Sequence, residues 1–257
     1  MALRRRTKIA IAAAVLVAVG GSYALVDLYG PRQTNIRQFD PDEVARLDTA
    51  MWRSYYGRQR LRLFLELGEV LRSQYRMPLL RSNAVAVKAA KAAFVFKDGK
   101  SRADYERALP DLVDFYGEIR AVSSTPFDVE RAATLELEWW IVHRERERHD
   151  PNDLVVALAE LAGEVYQQPV GDFMEHARLR AEAMTIRDTK AAAGGVTEED
   201  WVQIDALLHE SWRSLHRAVN TGVGPREEFP AKTQRKSAKT QRTAIIRASG
   251  TSFNDPL

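Results

Sequence analysis

Four charged residues fall on helix faces that should be apolar, and their types suit the handling of an anion. Stepped at about 100° per residue, Val129, Ala133, Leu137 and Trp140 share one face, and Glu136 and His143 fall inside it, seven residues apart. Phe173, Ala177 and Met184 define the apolar face of a later helix, and Arg180 and Arg187, also seven apart, fall near its centre. Two inward arginines suit a carboxylate or a phosphate through bidentate hydrogen bonds. An inward acid and imidazole need partners, because an unpaired buried charge is costly. Glu136, His143, Arg180 and Arg187 are therefore the candidate ligand-binding residues, and Glu136 is expected to pair with Arg180 or Arg187 across two facing helices. The same four would also serve as a closed network that fixes helix register.

No other pattern completes a catalytic constellation. The chain has no cysteine, which excludes disulfides, thiolate metal sites and cysteine nucleophiles. The Glu-x-x-His spacing of di-iron bundles is missing, as is His-Glu-x-x-His. His209 and His216 lie two turns apart on one helix, about 10 Å, too far to share a metal. Asp111, Asp114 and Glu118 lack the rest of a magnesium motif and fit a solvated face. There is no phosphate loop, nucleophile elbow, kinase motif or aromatic-studded RNA surface. The expectation is a chain without metal or cofactor, more simply explained as a binding or scaffolding module than as an enzyme. The alternative is a helical receptor or enzyme with a pocket lined by the four inward residues.

The elements that must position these residues are helices. Asp40-Pro41-Asp42-Glu43 is a strong start signal: a cap, proline in the first turn, then acids. It opens a helix to about Tyr56, with Val44, Leu47, Met51 and Tyr55 as its stripe and Asp48 beside it. A second helix, about Gln59–Arg76, is expected to bury Leu61, Phe64, Leu65, Gly68, Leu71 and Tyr75. Pro78 opens a third, rich in alanine, which ends at Asp98-Gly99. Ser101 to Arg120 follows, with a bend or restart at Pro110. Thr125-Pro126-Phe127-Asp128 resembles a capping box and launches the helix of Glu136 and His143, expected to reach about His149. Asp150-Pro151-Asn152-Asp153 starts the next. Pro169 or Gly171 starts the helix of Arg180 and Arg187, which reaches about Lys190. Thr197 caps the last, whose stripe is Trp201, Ile204, Leu208, Trp212, Leu215 and Val219.

No segment alternates with period two. The fold class is therefore all-α, an antiparallel bundle or array of about eight helices over residues 40–221. A chain of 257 residues, 45% hydrophobic, suffices for one such core.

The two ends differ from the body. Ile9 to Val26 is an 18-residue uncharged run behind Arg4, Arg5, Arg6 and Lys8, long enough for a membrane-spanning helix with a cytoplasmic N-terminus and an extracytoplasmic body. The competing expectation is a signal peptide cut near Ala18-Val19-Gly20 or Ser22-Tyr23-Ala24, which would release a secreted protein. Residues 1–27 are thus an anchor or signal, and residues 28–39 a linker. Residues 222–257 hold seven Lys/Arg against three Asp/Glu and repeat Ala-Lys-Thr-Gln-Arg at 231 and 238, a composition expected to be disordered. Both ends are basic, so the net charge of +3 hides an acidic body. That gives no reason to expect nucleic acid as a partner. The membrane is the partner expected, and any protein partner is unspecified.

Overall fold

The computed structural model describes residues 2–221, with side chains from Lys8 onward. The basic tail at 222–257 lies outside the described residues. Among these residues the regular structure is helical: α1 (Ala2–Tyr29), α2 (Pro41–Tyr56), α3 (Arg60–Tyr75), α4 (Leu79–Asp98), α5 (Arg102–Glu106), α6 (Leu109–Val122), α7 (Val129–Arg144), α8 (Pro151–Tyr166), α9 (Met174–Ala192) and α10 (Glu198–Thr221). The β-bridge between Thr34 and Ser123 is isolated and belongs to no strand.

Local chemistry sets most of the helix starts. The Asp40 carboxylate accepts the amides of Asp42 and Glu43, satisfying donors that the first turn leaves free. Asp150 and Asp153 form a reciprocal capping box at α8. Thr197 and Asp200 do the same at α10, with bonds of 3.2 and 2.9 Å. The start of α7 differs from the expectation. Asp128, not Thr125, caps it, accepting the Arg131 amide at 3.0 Å. Pro126 holds the residue before it out of the helical region, and the Thr125 amide instead bonds Ser123 Oγ at 2.9 Å.

Helix α7 also ends earlier than expected, at Arg144 instead of His149. Val142 is its last apolar residue, so further turns would bury nothing. Arg144 leaves the axis and donates to the carbonyls of Lys97 and Gly99, its guanidinium 4.9 Å from the Phe96 ring centre. A short 3₁₀ turn at Arg146–Arg148 completes the segment.

The face assigned to α3 is a second correction. Leu61 and Leu65 are exposed (84% and 61%), while Val70, Leu71 and Gln74 are buried. The N-terminal half of α3 carries leucine or phenylalanine at 61, 63, 64, 65 and 67, spread over more than half its circumference, so periodicity alone does not fix its inner face. Its flanking neighbours α2 and α4 do so, and they turn Leu61 and Leu65 roughly 100–150° away from the core. Helix α4 comes close at Gly68, where a Cβ would lie 2.6 Å from Asn83 Oδ1. In α10 the stripe Trp201, Ile204, Leu208, Trp212, Leu215 and Val219 is buried throughout. Tyr55 of the expected α2 stripe is half-exposed (50%).

Consecutive long helices run up and down, so the body has two ends. At one of them the segment between α1 and α2 gathers four helix C-termini. Thr34 Oγ1 donates to the carbonyls of Tyr75 (3.1 Å) and Val122 (3.0 Å), at the ends of α3 and α6. Arg37 Nη2 donates to the Tyr166 carbonyl of α8 at 2.8 Å, and the Arg37 carbonyl accepts from Asn220 of α10 at 3.2 Å. The Tyr75, Val122 and Tyr166 carbonyls are ones that helix ends leave without partners. Ile36 is fully buried and Phe39 nearly so, so residues 28–39 are no slack tether. At the opposite end Arg53 pairs with Glu198 at 2.8 Å and Arg146 with Asp188 at 3.3 Å.

Helix α1 is apolar and exposed along most of its length. Lys8–Tyr29 has the length and composition to cross a membrane, with a mean hydropathy of 2.3 over its most apolar 18 residues. Its last turn touches the body. Asp27 is buried and accepts the Leu80 and Arg81 amides at 2.9 and 3.2 Å. It supplies from a distance the side-chain cap that α4, preceded by Pro78, lacks.

Candidate functional site

The four inward residues sit on α7 and α9, but these helices are not principal neighbours. Helix α7 packs chiefly on α6 and α8, and α9 on α10 and α8. Each charged residue is met mainly by groups the seven-residue spacing did not point to.

Glu136 is held on α7. Its Oε2 accepts from the Tyr116 hydroxyl of α6 at 2.7 Å, and its Oε1 from Trp140 Nε1, one turn on, at 2.8 Å. Burial raises its pKa, against the opposing pull of these hydrogen bonds and of the positive charge of Arg180. The Tyr116 hydroxyl is itself pushed well above its ordinary value, first by burial and then by the adjacent carboxylate. The expected ion pair from Glu136 to Arg180 or Arg187 does not form. Arg180 acts on Glu136 through its field, without a salt bridge.

Arg180 is turned toward α2. Its guanidinium Nη1 makes a short, direct bond to Asp48 Oδ2, and Nη2 reaches Oδ1 at 3.4 Å. The same Oδ2 accepts from Trp212 Nε1 of α10 at 2.9 Å. The guanidinium lies over Trp52 and Trp212, 5.4 and 5.8 Å from their ring centres. Burial opposes the charge of Arg180, but the Asp48 charge and hydrogen bond outweigh it, so its pKa rises. The Asp48 side chain is only 2% exposed, so this is a charge pair taken almost wholly out of water.

His176 stands one turn from Arg180. Its Nδ1 lies 3.0 Å from the Ser211 carbonyl and 2.8 Å from Ser211 Oγ. Burial first, and the Arg180 charge second, lower its pKa to about 4. The ring is therefore neutral at pH 7. A serine and a histidine are thus in contact here, but no carboxylate bonds the imidazole as a nucleophilic triad requires. Ser211 is fully buried, and its hydroxyl is also bonded to the His176 carbonyl at 2.9 Å. The cluster fastens α9 to α10.

His143 and Arg187 do come together, through a residue that the sequence reading did not single out. Asp188 Oδ1 accepts from Arg187 Nη1 at 2.7 Å, and its Oδ2 lies 3.1 Å from His143 Nε2. Burial would raise the Asp188 pKa, but the His143 and Arg187 hydrogen bonds and the Arg146 charge hold it below the ordinary range. The Arg187 guanidinium also sits 3.2 Å from the centre of the Tyr56 ring. Burial pushes the Tyr56 hydroxyl up to about 12 in spite of that cation.

The arrangement is a band of paired charges and aromatic rings between helices. Arginine charge is met by Asp48 and Asp188, and the Glu136 oxygens by Tyr116 and Trp140. Its immediate chemical capacity is to hold helices in register. Asp48 carried a partial signal, an acid beside the α2 stripe. Asp188 carried none, because it follows Arg187 on a charged stretch. Among the described residues no cluster of three or more His, Asp or Glu side chains could hold a metal ion. An open cleft of about 400 Å³ lies elsewhere, lined by Pro31, Arg32, Gln33, Arg120, Ala121 and Ser123. Comparison of the chain with known family models, curated proteins and solved structures returns no match.

Proposed function

We propose that the chain is a single-pass membrane protein, N-terminus in the cytoplasm and helical body outside, serving there as a binding or scaffolding module. The observation that carries this reading is the 22-residue Lys8–Tyr29 segment, whose most apolar 18-residue window has a mean hydropathy of 2.3 and no burial against the body. At 1.5 Å per residue it spans about 33 Å, close to the hydrocarbon thickness of a bilayer. Arg4, Arg5, Arg6 and Lys8 before it favour a cytoplasmic N-terminus. An apolar surface of this extent has no place in water. Support for scaffolding over catalysis comes from the inward charges, whose bonds are made within the body itself.

The test uses the full chain, with a C-terminal reporter that is active on only one side of the membrane. The expected result is full intact mass, retention in the membrane after an alkaline carbonate wash and reporter activity outside. A full-length protein in the soluble fraction, or a reporter active in the cytoplasm, overturns the reading. A mass short of the first twenty or so residues shows a cleaved signal and a secreted body. Asp27 would remain on the body after a cut at either small-residue site, so its bond to α4 is compatible with both fates.

A further inference from the structure

We propose that the cleft between the end of α1 and the end of α6 binds a phosphate group, and that its position favours the phosphate of an anionic membrane lipid. The cleft has a volume of about 400 Å³, and Arg32, Gln33 and Arg120 bring the donors to its lining. Neither arginine meets a carboxylate among the described residues. Arg120 donates only to the Ser123 carbonyl at 3.2 Å. By contrast, the neighbouring Arg81 and Lys88 both pair with Glu118, at 3.0 Å each. Two arginines set apart from the acids of an acidic body are a cationic spot in need of an anion.

Acceptors at the nearby end of α6 are in part already occupied. The Val122 carbonyl takes both the Thr34 amide and the Thr34 hydroxyl, and the Ile119 carbonyl takes the Ser123 amide. The Ser123 carbonyl takes Arg120. The walls are also fixed in advance. The Thr34 amide bonds the Val122 carbonyl at 2.7 Å, and the Ser124 amide bonds the Thr34 carbonyl at 2.9 Å. These ties hold the strand of chain carrying Arg32 against the helix end carrying Arg120, so little ordering remains to oppose binding.

Position supplies the lipid. Arg32 is three residues beyond Tyr29, where the apolar span ends. Asp27 clamps that end to α4, so the cleft cannot drift from the span. In a membrane it would lie at headgroup depth, where each basic side chain adds measurable attraction to anionic lipid. The lipid source rests on the membrane reading above; the phosphate chemistry does not.

The test reconstitutes the full chain into nanodiscs of phosphatidylcholine with phosphatidylglycerol as the minority lipid. Lipids that stay bound after release into detergent are identified by native mass spectrometry. Phosphatidylglycerol should be retained selectively by the unaltered chain. Retention should fall about fivefold with Arg32→Gln and about 25-fold when Arg120→Gln is added. Arg107→Gln, on an exposed arginine at the other end of the body, should leave it unchanged. Arg32→Gln is the decisive single variant, because Arg32 is exposed and its loss removes no internal bond. A second arm titrates inorganic phosphate into the delipidated chain in detergent and follows phosphorus line broadening. Phosphate binding that both variants abolish, without lipid retention, keeps the site and overturns the lipid source. Equal behaviour of the unaltered and doubly substituted chains in both arms overturns the proposal. Failure of the carbonate test alone removes the anchor and leaves the phosphate arm readable.

Discussion

Removing the Arg180 guanidinium should be among the most damaging single changes in the body. Arg180→Ala leaves the Asp48 carboxylate 2% exposed, with the Trp212 indole as its remaining side-chain donor. Breaking a buried pair from one side costs about 3–5 kcal/mol, which for a domain of this size lowers the melting temperature by about 6–20 °C. Replacing both partners, Arg180→Met with Asp48→Leu, should recover most of the loss, because no charge is left stranded. Thermal melts of the full chain in detergent, followed by tryptophan fluorescence, to which nearby Trp52 and Trp212 contribute, read all of these. An Arg180→Ala melt within about 1 °C of the unaltered protein, or a double variant no more stable than Arg180→Ala, would refute the claim that this pair is closed to water.

Three further predictions concern separate parts of the body. His176 has its pKa lowered to about 4, against about 6.5 unfolded, so its contribution to stability is present above about pH 6.5 and lost as pH falls through about 4. The full loss is about 3 kcal/mol, and His176→Asn should flatten the stability profile over that window. Asp27→Ala should cost about 1 kcal/mol, the usual worth of a helix cap, and should speed hydrogen exchange at the Leu80 and Arg81 amides, which it bonds. Leu61→Ser and Leu65→Ser should each shift stability by less than about 0.5 kcal/mol, whereas Leu71→Ala should cost about 2–5; a large effect at Leu61 would mean that a partner covers it.

What could be read from the sequence was what is local. Asp40-Pro41 and Asp150-Pro151 start helices through bonds made within three residues, so they were legible without any knowledge of the fold. The α10 stripe was legible because its polar face is complete. Around Leu61 and Leu65 the stretch is apolar on several faces, and the true inner face depends on where α2 and α4 lie. The spacing of Glu136, His143, Arg180 and Arg187 gave their angles about two helix axes, but angles do not name neighbours. The partner of Arg180 lies 132 positions away on α2, and that of Glu136 is a tyrosine on α6 that reads as plain core. Residues 28–39 read as a tether because Gly30, Pro31 and polar side chains dominate them. Ile36 and Phe39, apolar in a polar setting, were the available hint of something more.

The gathering of helix ends by Thr34 and Arg37 has a consequence for synthesis. Their partners emerge in the order Tyr75, Val122, Tyr166, Asn220, the last 183 positions after Arg37. Asp48 waits 164 positions for Trp212, which completes the set that Arg180 begins. While the chain is being made, α2 has α3 beside it early, but Asp48 and the face that α10 covers stay without their full set of partners until the final helix has left the ribosome. A nascent chain that stops before α10 is not a smaller version of this body. It lacks the partners that close the first helix of the bundle, so the body becomes whole only when its two ends meet.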